Sequence, residues 1–429
     1  MNQIKVAIET FGCTFNKADS QIMAGKLADA GMELVEEIDD ADVIIVNTCY
    51  VKQPTESKVT TRIQKLQKNY PDKKVIVSGC MVEIDPGKLD KIADDSTNWI
   101  GPHQLNKTAE VIKASYNGEF LRETGLSKDS KVGLNKVTDD PFIHIIQICE
   151  GCLGVCSFCC TRLARGPLHS YPISDITDEA KKAIDSGCVE IELTAQDTAA
   201  FGHDTGEKLS SLIKEVANIN GNFRIRVGMM HPKNIFNDVD EVIEAFKLPN
   251  VYKFIHLPVQ TGSDKVLKDM NRRHTVKEYT DFVKKIRDSI PDITLATDII
   301  VGYPTETDED FQKTIDLLNE IKPNLIHLSK YRHRQGALSS SLEEIPHSVM
   351  KERSRKLTEI KENITKDENK HLLGQILEVL IVQKGSKGGY IGKSNSYLPV
   401  VVDDAEIGTF VNVKITRTTS TYLVGEIVN

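Results

Sequence analysis

The chain reads as an α/β protein in three parts: an N-terminal open parallel α/β sheet domain, a central partial (β/α)6 barrel and a C-terminal small β-barrel. Three observations predict this. Residues 1–125 alternate short apolar strands with helices, the same alternation returns with about six repeats between residues 141 and 325, and β-rich runs cut by Gly and Asp follow Gly374. The length of 429 residues suits roughly three domains at about 150 residues each.

In the first part KVAIETFG, ADVIIVNTC and KKVIVSGC are the strands, with a helical stretch from Asp19 to Ala30 and a Lys-rich helix after Pro54. Ligand groups in such sheets collect at strand C-termini. Leu126 to Thr138 is polar and aperiodic and reads as a linker. The expected limits are therefore 1–125, 126–138, 139–366 and 367–429. The barrel strands are FIHIIQIC, VEIELTAQ, FRIRVGMM, VYKFIHLPV, ITLATDIIVG and LIHLSKY, with helices expected at 175–186, 207–218, 277–289 and 308–321. The charged helix Ser348 to Lys370 leads to QILEVLIVQ, GGYIGKS, YLPVVVDD, TFVNVKITRTT and TYLVGEIVN, five short runs of a small barrel.

The balance of 54 Lys+Arg against 62 Asp+Glu, net −8, argues against a surface coated with nucleic-acid-binding charge and leaves room for a local basic groove. There is no run of about 18 apolar residues, so no membrane span is expected. The N-terminus lacks the basic, apolar and small-residue blocks of a signal peptide, and a cytoplasmic location is expected. Nine cysteines are too few for a disulfide scaffold, which points to metal or redox duty.

Cys152, Cys156 and Cys159 form a C-x3-C-x2-C cluster in EGCLGVCSFCCTR, directly after the first barrel strand. Three such thiolates can hold three irons of a 4Fe-4S cube and leave the fourth iron open. A structural zinc site needs four protein ligands and would have to recruit Cys149 or Cys160. Phe158, between the last two cysteines, either shields the cluster or packs as core. Cys13, Cys49 and Cys80 each follow a strand of the N-terminal sheet and should converge on one edge, as a second ligand trio or as three buried thiols. Cys188 reads as core.

The spacing after strand one resembles the radical S-adenosylmethionine (SAM) superfamily. The wider set FGCTFNKADS, VNTCYV, VSGC, EGCLGVCSFCCTRLARG, LTAQDT, HLPVQTGSDKVLKDMNRRHT and TDIIVGYPTET resembles the methylthiotransferases over nearly the whole chain. CLGVCSFCCTRLARG and the short N-terminal domain look most like the archaeal and eukaryotic branch, which acts on threonylcarbamoyladenosine at tRNA position 37. The resemblance implies two 4Fe-4S clusters, one on Cys13, Cys49 and Cys80 and one on Cys152, Cys156 and Cys159, with SAM on the open iron of the second. It also implies a C-terminal RNA-binding TRAM barrel. One SAM would give its methyl group to a sulfur on the N-terminal cluster, and another would yield the radical that activates carbon 2 of the adenine, whose C–H bond no side-chain base can match.

Matching motif to role gives Phe158, Thr194, Gln196, Asp197, Arg226, His256, Gln260, Asp298 and Gly302 as SAM contacts, with Gly302 letting backbone approach the adenine moiety. For RNA the candidates are Arg162 and Arg165 after the cysteine loop, Lys330, Arg332 and Arg334 around Tyr331, and Lys387 and Lys393 beside Tyr390 and Tyr397. The partners this implies are a tRNA anticodon stem-loop, an electron donor such as flavodoxin or ferredoxin, and a sulfur source, with neither DNA nor membrane. Rival readings are a methylthiotransferase for another modified adenosine or for a ribosomal protein aspartate, and an iron-sulfur RNA-binding sensor without radical chemistry.

Overall fold

The computed structural model describes residues 3–138 and 140–428, so the expected limits at 1, 139 and 429 lie outside the described residues. The N-terminal part is a six-stranded parallel sheet of β1 (Lys5–Thr10), β2 (Glu33–Leu34), β3 (Val43–Thr48), β4 (Lys74–Gly79), β5 (Asn98–Ile100) and β6 (Arg122–Glu123). Their order is β2-β1-β3-β4-β5-β6. The apolar run VIIVNT is buried along its whole length, as a central strand covered on both faces requires. β1, β3 and β4 are immediate neighbours. Parallel strands lie about 4.8 Å apart, so the residues just past these three C-termini are brought together.

The first helix runs Thr14–Asp29 and starts right after Cys13, five residues earlier than Asp19. Nearly all of it is buried, between the sheet and other parts of the chain, so it shows no single apolar stripe to mark its start.

The central part holds six parallel strands in two arcs. β7 (Ile143–Gln147), β10 (Glu190–Thr194) and β11 (Arg224–Val227) form one, and β12 (Phe254–His256), β13 (Thr294–Val301) and β14 (Leu325–Lys330) the other. The arcs are stitched by Tyr252 N to Ile225 O at 3.0 Å and Met230 N to His256 O at 2.9 Å. A short antiparallel pair, β8 (Cys149–Glu150) and β9 (His169–Ser170), brackets the cysteine loop. Ile191, Leu193, Ile225, Val227 and Ile255 pack outward on the helices. Strand alternation therefore turns Glu190, Glu192, Arg226, His256, Asp298 and His327 inward.

The C-terminal part is a closed barrel of β15 (Ile376–Lys384), β16 (Tyr390–Ser394), β17 (Pro399–Val402), β18 (Phe410–Thr418) and β19 (Leu423–Val428). It docks on the N-terminal mouth of the central barrel. Lys393 Nζ donates to Glu190 at 2.7 Å, Tyr397 Oη donates to Glu192 at 3.1 Å, and Lys253 N donates to Asn395 O at 2.8 Å. Tyr397 packs with Tyr252 and Phe254. Lys393 and Tyr397, expected to face RNA, thus face the neighbouring domain, because two inward carboxylates await them there.

The stretch 126–138 forms no helix or strand, yet it is pinned on both sides rather than free. Lys131 Nζ donates to Asp19 and Glu150, both at 2.9 Å, and Lys136 Nζ donates to Glu179 at 2.5 Å. Among the described residues no helix is long and apolar enough to cross a membrane.

Candidate functional site

Cys13 caps the helix Thr14–Asp29, Cys49 follows β3 and Cys80 opens the short helix Cys80–Ile84. The three thiols are mutual neighbours: burial pushes Cys49 up to about 11, and the charges of Cys80 and Cys13 add to the rise. A helix N-terminus favours negative charge, which suits a thiolate at Cys13. Gly12 sits at φ +118°, and a Cβ there would stand 2.7 Å from Cys49 Cβ and 3.2 Å from its Sγ. The absence of a side chain at Gly12 leaves the space in front of that thiol clear.

The second trio is equally local. Burial, then the charge of Asp197, pushes Cys152 up to about 12, with Cys159 and Cys156 contributing. Gly154 N donates to Cys152 Sγ at 3.2 Å, and Thr161 N to Cys159 Sγ at 3.4 Å. Arg272 Nη1 donates to Cys156 Sγ at 3.6 Å. Amide and guanidinium donors aimed at sulfur are what a thiolate-bound cluster requires.

Cys149 is fully buried and directs its thiol to Asp197 O at 3.8 Å, away from the loop. Cys160 is buried in the N-terminal core beside Cys80 and Ala164. Each set therefore presents three thiols, which fits a cube with an open iron better than a closed four-ligand zinc site.

Beside Cys159 lies a cavity of about 610 Å³. Its wall takes Val51 to Pro54 from the N-terminal domain, Phe158 to Thr161 from the cysteine loop, and Gln260, Asp298, Ile300 and Leu328 to Arg332 from the barrel. Cys160 makes the bridge: burial, then the charge of Cys159, pushes its thiol up to about 12, with Cys80 of the other trio adding to the rise.

The structure sorts the expected SAM contacts. Phe158, Gln260 and Asp298 line the cavity. His256 Nε2 lies 2.9 Å from Asp298 and orients it from below. Thr194 is buried at the end of β10, and Gln196 Oε1 accepts from Gly151 N at 2.7 Å, fixing the start of the cysteine loop. Asp197 accepts from Ala199 N, His231 N and Asn234 Nδ2 at 3.1, 2.8 and 2.6 Å, so its oxygens are spent on loop architecture. Arg226 stacks between Phe254 and Tyr397 at the docked end of the barrel. A Cβ at Gly302 would lie 2.3 Å from Met350 Cγ; this glycine admits the helix His347–Asn369 and not an adenine.

The RNA candidates divide too. Arg162, Lys330 and Lys387 are exposed. Arg332 pairs with Glu344 at 2.9 Å, and Arg334 pairs with Glu56 while lining the cavity. Tyr331 is buried edge-on to Tyr303 with its hydroxyl on Ser339, so its ring is no free stacking platform. Arg165 is 1% exposed, with Nη1 at 2.7 Å from Asp19 and 2.9 Å from Glu150, and Nη2 donating to Asn16 Oδ1 at 2.8 Å. It serves the domain interface next to Cys80, not an RNA surface.

Sequence reading missed Arg272, Lys52 and His327. Arg272 lies in the quoted run MNRRHT, but nothing local aims it at sulfur. Lys52 follows Cys49 by three residues. His327 shares inward parity with Ser329 on β14, and its ring meets that of His256 at 5.4 Å. The ligand atoms of His256, Asp298 and His327 lie within 4.8 Å of one another. Of these three only Asp298 lines the cavity, where Lys52 and Lys330 also stand.

Comparison with known proteins agrees with this geometry. Residues 5–101 match the Uncharacterized protein family UPF0004, residues 146–318 the Radical SAM superfamily and residues 370–428 the TRAM domain. The chain is 57% identical over 426 residues to the probable threonylcarbamoyladenosine tRNA methylthiotransferase of Methanothermobacter thermautotrophicus, covering 99% of this chain and 100% of that one. This chain belongs to the threonylcarbamoyladenosine tRNA methylthiotransferase family. The Archaeoglobus fulgidus member is 40% identical, with 99% of each chain covered. The Homo sapiens threonylcarbamoyladenosine tRNA methylthiotransferase is 34% identical, covering 98% of this chain and 74% of that one. The radical SAM methyltransferase TsrM of Kitasatospora setae, solved with tryptophan and a SAM analogue, shares the fold at a TM-score of 0.59 and 14% identity, over 79% of this chain and 75% of that one. Membership makes the protein a radical SAM transferase and implies SAM and a 4Fe-4S cluster.

Proposed function

We propose that the protein inserts a methylthio group at carbon 2 of threonylcarbamoyladenosine at position 37 of tRNA, using two 4Fe-4S clusters. The observation that carries this reading is that the chain holds two separate thiol trios close together, with Cys160 next to Cys159 of one and packed in a core with Cys80 of the other. A single-cluster enzyme or an iron sensor has no use for a second trio beside the first.

Cys152, Cys156 and Cys159 would hold the cluster that binds SAM, and Cys13, Cys49 and Cys80 the cluster that carries the sulfur to be transferred. When bound, these groups supply reductive SAM cleavage and the methylthio donor. The protein's residues do the positioning. Phe158 covers one side of the cavity, and Asp298, held by His256, offers a carboxylate to a hydroxyl or amine. Arg272 donates toward Cys156 and opposes the rise of the Cys159 thiol. Arg162, Lys330 and Lys387 are the exposed cations for the anticodon stem-loop. The electron and the replacement sulfur come from outside the chain, from a flavodoxin- or ferredoxin-type donor and a sulfur source.

Nucleoside mass spectrometry of tRNA from cells with and without the gene tests the reading. Loss of 2-methylthio-threonylcarbamoyladenosine on deletion is expected, and an unchanged profile would overturn it.

A further inference from the structure

The cavity wall is basic although the chain carries a net charge of −8. Lys52, Lys330, Arg332 and Arg334 line it against one carboxylate, Asp298, which His256 already holds. Arg332 and Arg334 are spent on Glu344 and Glu56. Lys52 and Lys330 form no ion pair among the described residues, and they reach the same cavity from different domains.

Gln260 supplies a second and independent sign. It lines the cavity at 8% exposure, and its Oε1 has no hydrogen-bond partner. Its backbone sits at φ +78°, a conformation that costs free energy for any residue but glycine. A buried acceptor without a donor is costly, and strain of this kind collects at ligand sites. Two unpaired ammonium groups and one unpaired amide oxygen together describe a ligand that joins an anion to an N–H donor.

The threonylcarbamoyl substituent has this composition, a carboxylate attached through a urea link. We propose that Lys52 and Lys330 bind its carboxylate, that Gln260 Oε1 accepts from a urea N–H, and that these residues select an adenosine with an anionic substituent over one with an uncharged substituent. The inference rests on the function proposed above. The competing anions are the backbone phosphates of RNA and the carboxylate of SAM.

The test uses the full-length reconstituted protein and three anticodon stem-loop RNAs bearing threonylcarbamoyladenosine, its neutral methyl ester, or plain adenosine. In fluorescence anisotropy the acid RNA should bind about tenfold or more tightly than the ester, as a charge-assisted contact implies. The double variant Lys52→Gln/Lys330→Gln, checked for unchanged iron content, should lose that preference. Equal binding of acid and ester by the unsubstituted protein would overturn the proposal. So would a variant weakened equally for both RNAs, which would place the lysines on phosphates only. A variant that keeps the preference but loses SAM affinity in equilibrium dialysis would give the lysines to SAM's carboxylate and equally overturn it. Mass spectrometry of the same RNAs after turnover separates the two levels. Equal methylthiolation of acid and ester removes the subsite and leaves the proposed function standing, whereas no methylthiolation of the acid RNA removes the function itself.

Discussion

Arg165 ties three distant stretches of the chain together. Its guanidinium meets Asp19 and Asn16 from the first helix and Glu150 from the start of the cysteine loop, and it lies over the Phe15 ring at 4.7 Å. Buried charge of this kind is weak evidence of net stabilisation, but removal of one partner leaves the others uncompensated. Arg165→Met should therefore cost about 3 to 5 kcal/mol in urea unfolding, while Arg162→Met, at an exposed neighbour, should cost less than about 0.5 kcal/mol. Equal, small effects at both positions would show that the interface network is not stabilising. The sequence made Arg165 look like Arg162, since both follow the cysteine loop. What separates them is tertiary: carboxylates at positions 19 and 150 converge only after the two domains dock. The closeness of Cys13, Cys49 and Cys80 to one another, and of Cys152, Cys156 and Cys159, was by contrast legible, because strand ends and loop spacing are local properties. Of the residues read alike as SAM contacts, Gln260, Asp298 and Phe158 line the cavity, whereas Asp197, Arg226 and Gly302 do not, since their neighbours come from other strands and helices.

At the scale of elements, two contacts govern how the parts hold together. Glu179, on the helix Ile173–Asp185, receives Lys136 Nζ, Gly133 N and His144 Nε2. Burial pushes its carboxyl up, but these partners more than offset that and hold it at about 2. Because the folded value lies below the usual one near 4.5, the contact contributes fully above about pH 5 and is lost as pH falls toward 2. Proteolysis within 126–138 should accelerate across that window, and Glu179→Gln should make the segment sensitive already at pH 7. No change in either case would contradict the clamp. The other contact is Lys393 on Glu190. Lys393→Met leaves the buried Glu190 without its cation and should loosen the C-terminal barrel by about 3 kcal/mol. Hydrogen exchange at β16 and β12 would report it, and unchanged protection would rule it out. The barrel itself was legible from five short strands cut by turns. Its docking face was not, because a lysine on β16 and a tyrosine just after it look alike whether they await RNA or a carboxylate.

For the whole molecule, the closeness of the two thiol trios, with Cys160 packed beside Cys80 and next to Cys159, would make the domains a single working unit under the proposed function. Of the RNA candidates only Arg162, Lys330 and Lys387 are left exposed, so RNA binding should fall with salt at a modest slope. Lys387→Gln should reduce the slope of log affinity against log salt by about one. An unaltered slope would remove the C-terminal barrel from the RNA surface. The alternation of strands and helices made the first two folds legible and the β-rich runs after Gly374 the third, while the cavity required assembly of the first two domains. Iron per chain after anaerobic reconstitution tests the two-centre arrangement most directly. About eight irons are expected for the unsubstituted protein and about four when Cys152, Cys156 and Cys159 are all replaced by alanine, the remainder belonging to Cys13, Cys49 and Cys80. About four irons in the former and none in the latter would contradict it.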